Sequence, residues 1–200
     1  MDWSWVKTLA EVDDARAHAR RLVGLKLAVV RYYDLDYLQP DRPDGVLGAR
    51  LIADKDEWRE PTWRFPFGDS VDYGVEFETA CGRRFTVSWD SPGCHEGIWI
   101  RESPLAGAAL APEANVAVWD VSHAGRWDQF AGQLVSDVRL AYKPWAKGDG
   151  YWCSRITLTI VGCEIQMLLG DAGPDNRLRP SADNIAVLFP TEQLPDWERQ

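Results

Sequence analysis

The stretch VDYGVEFETACGRRFTVSW (Val71–Trp89) decides the fold class. In its first half Tyr73, Val75 and Phe77 fall on one face and Glu76 and Glu78 on the other, the period-two pattern of a half-buried strand. In its second half Phe85, Val87 and Trp89 alternate with Thr86 and Ser88. Cys81-Gly82 lies between them, with glycine where a two-residue hairpin connection needs positive φ. The stretch therefore reads as an antiparallel hairpin with its apolar face toward a core and its carboxylates toward water.

The same grammar recurs along the chain. Arg155–Ile160 (RITLTI), a Val161-Gly162 turn and Cys163–Gly170 (CEIQMLLG) form a second hairpin. Ile156, Leu158 and Ile160 face inward, Thr157 and Thr159 outward, and Cys163 shares the apolar face of Ile165, Met167 and Leu169. LKLAVVRYY (25–33), NVAVWDV (115–121), LVSDVRLAYKPW (134–145) and NIAVLF (184–189) add further strands, rich in β-branched and aromatic residues.

One segment has a different period. Leu9, Val12, Ala15, Ala19, Leu22 and Val23 make a helical stripe, Thr8 and Glu11 have capping-box spacing, and Gly24 supplies a stop. His18, between arginines on this helix, is expected to face solvent. The expectation is one α+β domain over residues 1–200, mostly antiparallel β, as a sandwich or strongly bent sheet. It has one N-terminal helix over about residues 8–23, followed by about nine to ten strands. Trp-Asp dipeptides at 89–90, 119–120 and 127–128 are not a propeller repeat, because their spacing misses a blade of about 40–45 residues.

Composition narrows the function. The chain has 200 residues, 46% of them hydrophobic and 26% charged, with a net charge of −9. That sign opposes phosphate-backbone contacts and anionic membranes, and it steers a basic protein partner instead. The start, MDWSWVKTLAEVDDARAHARR, lacks the basic and apolar regions of a signal peptide, and the apolar runs are only strand-length, so a cytoplasmic location is expected. Cys81, Cys94, Cys153 and Cys163 are scattered with no CxxC pair, which reads as reduced thiols rather than as a disulfide or metal framework.

The most reactive-looking stretch is WDSPGCHEGIWI (Trp89–Ile100). His95 and Glu96 begin a zinc-protease motif, but position 99 is tryptophan, and the motif needs two histidines one helical turn apart. Cys94 and His95 are sequence neighbours, and neighbours on a strand point to opposite faces. The stretch reads as a turn, bent at Pro92-Gly93, that joins two strands and displays Cys94, His95 and Glu96. No metal, cofactor or catalytic residue is assigned. An enzyme built on Cys94, His95 and Glu96 with Asp90 is the second alternative.

Paired carboxylates such as Asp34/Asp36, Asp54/Asp56 and Glu76/Glu78 read as solvated strand faces. The acidic loops miss the calcium-loop register, and no P-loop, G-x-S-x-G or G-x-G-x-x-G is present.

Eleven tryptophans are the outstanding feature. Trp89 and Trp119 fall within strands. Trp58, Trp63, Trp127 and Trp145 stand in polar or Pro-rich settings, as do Trp3, Trp5 and Trp197. With His95 and Glu96, the first four are the expected contact residues, since tryptophan is enriched at binding hot spots. The expected function is a non-catalytic protein-binding domain, of the immunity or inhibitor type, that neutralises a basic toxin or enzyme. A small-molecule or carbohydrate-binding β-sandwich is the first alternative.

Overall fold

The hairpins that the alternation predicts are the middle of two packed sheets. The computed structural model describes residues 5–35, 49–52, 64–89, 97–105, 116–145, 149–173, 175 and 177–199. A two-residue strand, β1 (Trp5–Val6), precedes the helix α1 (Leu9–Ala19), which tightens into a 3-10 turn over Arg20–Leu22. The capping box is formed: Glu11 N–H donates to Thr8 Oγ1 at 3.2 Å, and Thr8 N–H donates to Glu11 Oε2 at 2.9 Å. Gly24, at φ +81°, ends the segment as expected. The α-helix is shorter than the sequence reading because its last turn adopts the tighter geometry common at helix ends.

The strands that follow are β2 (Leu27–Leu35), β3 (Ala49–Ile52), β4 (Arg64–Phe65), β5 (Gly68–Val71), β6 (Gly74–Thr79), β7 (Arg84–Trp89), β8 (Ile98–Arg101) and β9 (Val116–Asp120). After them come β10 (Val135–Pro144), β11 (Tyr151–Ile160), β12 (Cys163–Leu169), β13 (Asp171–Ala172), β14 (Leu178–Arg179) and β15 (Ile185–Leu188). A six-stranded sheet has the order β3-β9-β2-β6-β7-β8. A seven-stranded sheet has the order β1-β11-β12-β15-β5-β4, with β10 also paired to β11. All pairings are antiparallel except β3 with β9. More strands form than the sequence suggests because β1, β4, β13 and β14 have two residues each, too few to show a period.

The two sheets pack face to face as a sandwich, and one core runs between them. Val30, Phe77, Phe85, Val87 and Ile100 of the six-stranded sheet join Ile156, Leu158, Ile165, Met167 and Val187 of the other. At one end the sheets are stitched together: Leu27 N–H donates to Gln133 O and Val135 N–H to Leu25 O, each at 3.0 Å. Helix α1 packs against β8 of one sheet and β10 of the other, beside the place where β8 approaches β11.

Several local expectations are corrected. The first hairpin is closed by Thr79 N–H donating to Arg83 O at 2.8 Å, so Ala80-Cys81-Gly82 makes a three-residue loop with Gly82 at φ +80°. Tyr73 does not share the face of Val75 and Phe77. It packs with Tyr33, Leu105, Val116 and Val118 in a second cluster on the opposite face. Glu76 does not meet water. It is 0% exposed, because the chain leaving β8 folds back over the outer face of the six-stranded sheet. Leu105 N–H donates to Glu76 Oε2 at 2.9 Å, Arg31 Nη1 donates to Glu76 Oε1 at 2.8 Å, and Thr86 Oγ1 donates to Ser103 O at 2.7 Å. A buried charge demands such partners. Thr157, expected outside, is also buried. His18 is half-buried, and its Nε2 accepts from Glu102 N–H at 3.4 Å.

Candidate indole cluster

Trp145 follows β10, and Trp152 is the second residue of β11. Between them the connection turns back, with Trp145 N–H donating to Gly150 O at 3.0 Å. β1 adds to the same stretch of β11, with Trp5 opposite Trp152 and Val6 opposite Tyr151. Opposed residues of an antiparallel pair share a face, so the indoles converge. Trp5 and Trp145 meet edge to face with ring centroids 5.2 Å apart, and Trp145 and Trp152 do so at 6.5 Å. All three are half-buried.

Glycine 150 makes the approach possible. It sits at φ +123°, and a Cβ there would lie 2.6 Å from Val6 O and 3.0 Å from the Trp5 ring. Any side chain would push β1 off β11 and open the cluster.

The C-terminal segment is anchored to the same strands. Glu198, 7% exposed, accepts from Ser154 Oγ at 2.7 Å and pairs with Lys143 Nζ at 3.1 Å and Arg155 Nη1 at 3.7 Å. Lys143 lies opposite Trp152 in the β10–β11 ladder. A register shift between Ala141 and Tyr142 leaves Ser154 without an opposite residue, the two-against-one pattern of a β-bulge.

Of the contact residues expected from sequence, Trp145 is the one placed at this cluster. Trp127 lies in the core at 1% exposure, where its Nε1 donates to Tyr32 Oη at 2.6 Å and its ring meets Phe77, Phe130 and Phe189 edge to face. It is a filler of the interior, not a surface contact. Trp58, Trp63, Asp90, Cys94, His95 and Glu96 lie outside the described residues. The strands on either side of residues 90–96 pair as expected, with Trp89 opposite Ile98.

Trp152 was not singled out by sequence reasoning, although a signal existed. In PWAKGDGYW (Pro144–Trp152) two tryptophans stand on either side of a Gly-Asp-Gly sequence, a turn signal that keeps them near one another when the chain returns.

A second polar constellation joins the two sheets. Asp69 of β5, 5% exposed, accepts from Tyr32 Oη of β2 at 2.8 Å and pairs with Arg126 Nη1 at 3.3 Å. Arg126 also pairs with Glu192 at 3.1 Å and donates to Phe65 O at 2.7 Å. Burial pushes the Asp69 carboxyl up to about 6, against the pull of Tyr32 and Arg126, and burial raises Glu192 as well. A shifted acid of this kind also arises in structural networks. Here every partner is an internal group tying a strand, a loop or the C-terminal segment together.

Among the described residues no group of three or more His, Cys, Asp or Glu is placed to hold a metal ion, and no helix is long and apolar enough to cross a membrane. Comparisons of the chain with protein-family models, with curated proteins and with solved structures found no match.

Proposed function

We propose that the chain is a non-catalytic protein-binding domain of the immunity or inhibitor type, which neutralises a basic partner. The observation that carries this reading is the convergence of Trp5, Trp145 and Trp152 as three half-buried indoles at one place on the sandwich. Tryptophans whose rings are fixed by their neighbours offer large contact area with little entropy left to lose, the property of binding hot spots. The rings stand edge to face with interplanar angles of 83°. That geometry makes a ridged surface suited to interlocking side chains, whereas a sugar stacks on an open, flat ring face. The net charge of −9 adds long-range attraction for a basic partner.

The test is affinity capture from cells that make the protein, with the wild-type chain and Trp145→Ala as parallel baits. A basic partner held in stoichiometric amount by the wild type, and at least about 30-fold more weakly by Trp145→Ala, supports the reading. A panel of sugars and small metabolites that raises the melting temperature, with no protein captured, replaces it by the ligand-binding alternative.

A further inference from the structure

The end of the sandwich where β11 turns into β12 carries an open groove of about 460 Å³, lined by Lys26, Gln133, Leu134, Ser136, Val161 and Gly162. Two apolar side chains stand exposed at it, Leu134 at 49% and Val161 at 64%.

Val161 holds a backbone conformation that its side chain resists. Val161 and Gly162 form the two-residue turn between Ile160 and Cys163, at φ +52° and +74°. Such turns favour asparagine, aspartate or glycine, and a β-branched residue is strongly disfavoured at positive φ. Among the described residues Val161 is the one non-glycine there. Its side chain is mostly in water, so no core contact compensates. Lys26 is the single charged residue among those lining the groove, it is exposed, and among the described residues no carboxylate lies within ion-pair distance of it. An exposed lysine that lines one groove with two exposed apolar side chains is complementary to a carboxylate flanked by apolar groups.

We infer that this groove receives an extended peptide segment of a partner in which an acidic residue sits beside an apolar one. The segment's carboxylate meets Lys26, and its apolar side chain packs between Leu134 and Val161. The site is distinct from the indole cluster, since Trp152 lies at the start of β11 and Val161 just past its end, about 30 Å apart at the rise of an extended strand.

The experiment titrates the full chain with acetyl-Leu-Asp-Leu-amide and, separately, acetyl-Leu-Lys-Leu-amide, following backbone amides by NMR. Saturable shifts at Leu134, Val161 and Gly162 with the aspartyl peptide are expected, with affinity at least about tenfold weaker for the lysyl peptide and for Lys26→Glu. Val161→Asn suits the turn, so it is expected to raise the melting temperature while weakening the aspartyl peptide several-fold. Absence of saturable shifts at these amides in the folded wild type, equal affinity for the two peptides, or undiminished binding by Val161→Asn would overturn the inference.

Discussion

The Tyr32 hydroxyl, on the six-stranded sheet, donates to the Asp69 carboxylate on the seven-stranded sheet at 2.8 Å, and Trp127 Nε1 donates to the same hydroxyl at 2.6 Å. This chain of hydrogen bonds crosses the core and reaches Arg126 and Glu192 at the rim. It makes the stability of the sandwich sensitive to one buried acid.

The pH dependence follows from the direction of that acid's shift. Asp69 is raised from its ordinary 3.8 to about 6, so between those values the folded protein binds more protons than the unfolded chain. Its contribution is therefore most favourable below about pH 4 and declines as pH rises through about 6, by about 3 kcal/mol in all. Glu192, also raised by burial, acts in the same direction. Glu11, Glu102 and Asp175 are lowered and act the other way, so the decline is read as a difference: in urea unfolding, the stability of the wild type relative to Asp69→Asn should fall as pH rises from about 4 through about 6. An unchanged slope in Asp69→Asn would assign the effect elsewhere.

Trp127 and Trp145 should differ sharply in their effect on folding. Trp127 is fully enclosed by aromatic rings, and Trp127→Ala should cost about 3–5 kcal/mol, the range for emptying a large buried site. Trp145 is half-buried, and Trp145→Ala should cost less than half as much. Denaturant midpoints at constant slope measure both. Comparable losses would mean that the indole cluster is built for stability and not for contact.

Gly74 lies where Leu105 folds back over the sheet. A Cβ on it would come within 2.7 Å of Val87 O and 2.8 Å of Leu105 Cδ2, and the backbone oxygen has little room to give. Gly74→Ala should destabilise the chain by about 1–3 kcal/mol. The protection of the Leu105 amide from hydrogen exchange should fall too, because its bond to Glu76 depends on that packing.

These contrasts show which parts of the molecule were legible in the residues. Alternation at Phe85, Val87 and Trp89 or at Ile156, Leu158 and Ile160 reports the core face directly, so both hairpins and the sandwich class were readable. The opposite faces were not. Glu76 looks like a solvated residue in sequence because its partners, Arg31 and the Leu105 amide, are 45 and 29 residues away. Trp127 reads as a loop tryptophan because its neighbours carry charge and glycine, yet the loop folds into the interior. Trp145 was singled out in the sequence, but its companions Trp5 and Trp152 come from the far N-terminus and the next strand. Long-range convergence of this kind leaves no local period.

The cysteines should separate by reactivity. Cys81 is exposed at a hairpin tip, and its thiol is lowered from the ordinary value by the Thr79 hydroxyl, 3.3 Å from its sulfur, and by the Arg83 backbone amide. Burial pushes Cys153 up to about 12. Brief alkylation of the native protein followed by peptide mapping should modify Cys81 before Cys163 and leave Cys153 untouched until denaturant is added. Early labelling of Cys153 would contradict the packing of β11.

The central claim, that the indole cluster is a protein-contact surface, is tested most directly by calorimetric titration of the captured basic partner against wild type, Trp145→Ala and Trp152→Ala. The expectation is a one-to-one complex whose affinity falls with added salt and drops at least about 30-fold in each variant, while both variants remain folded. Undiminished affinity in both variants would contradict it.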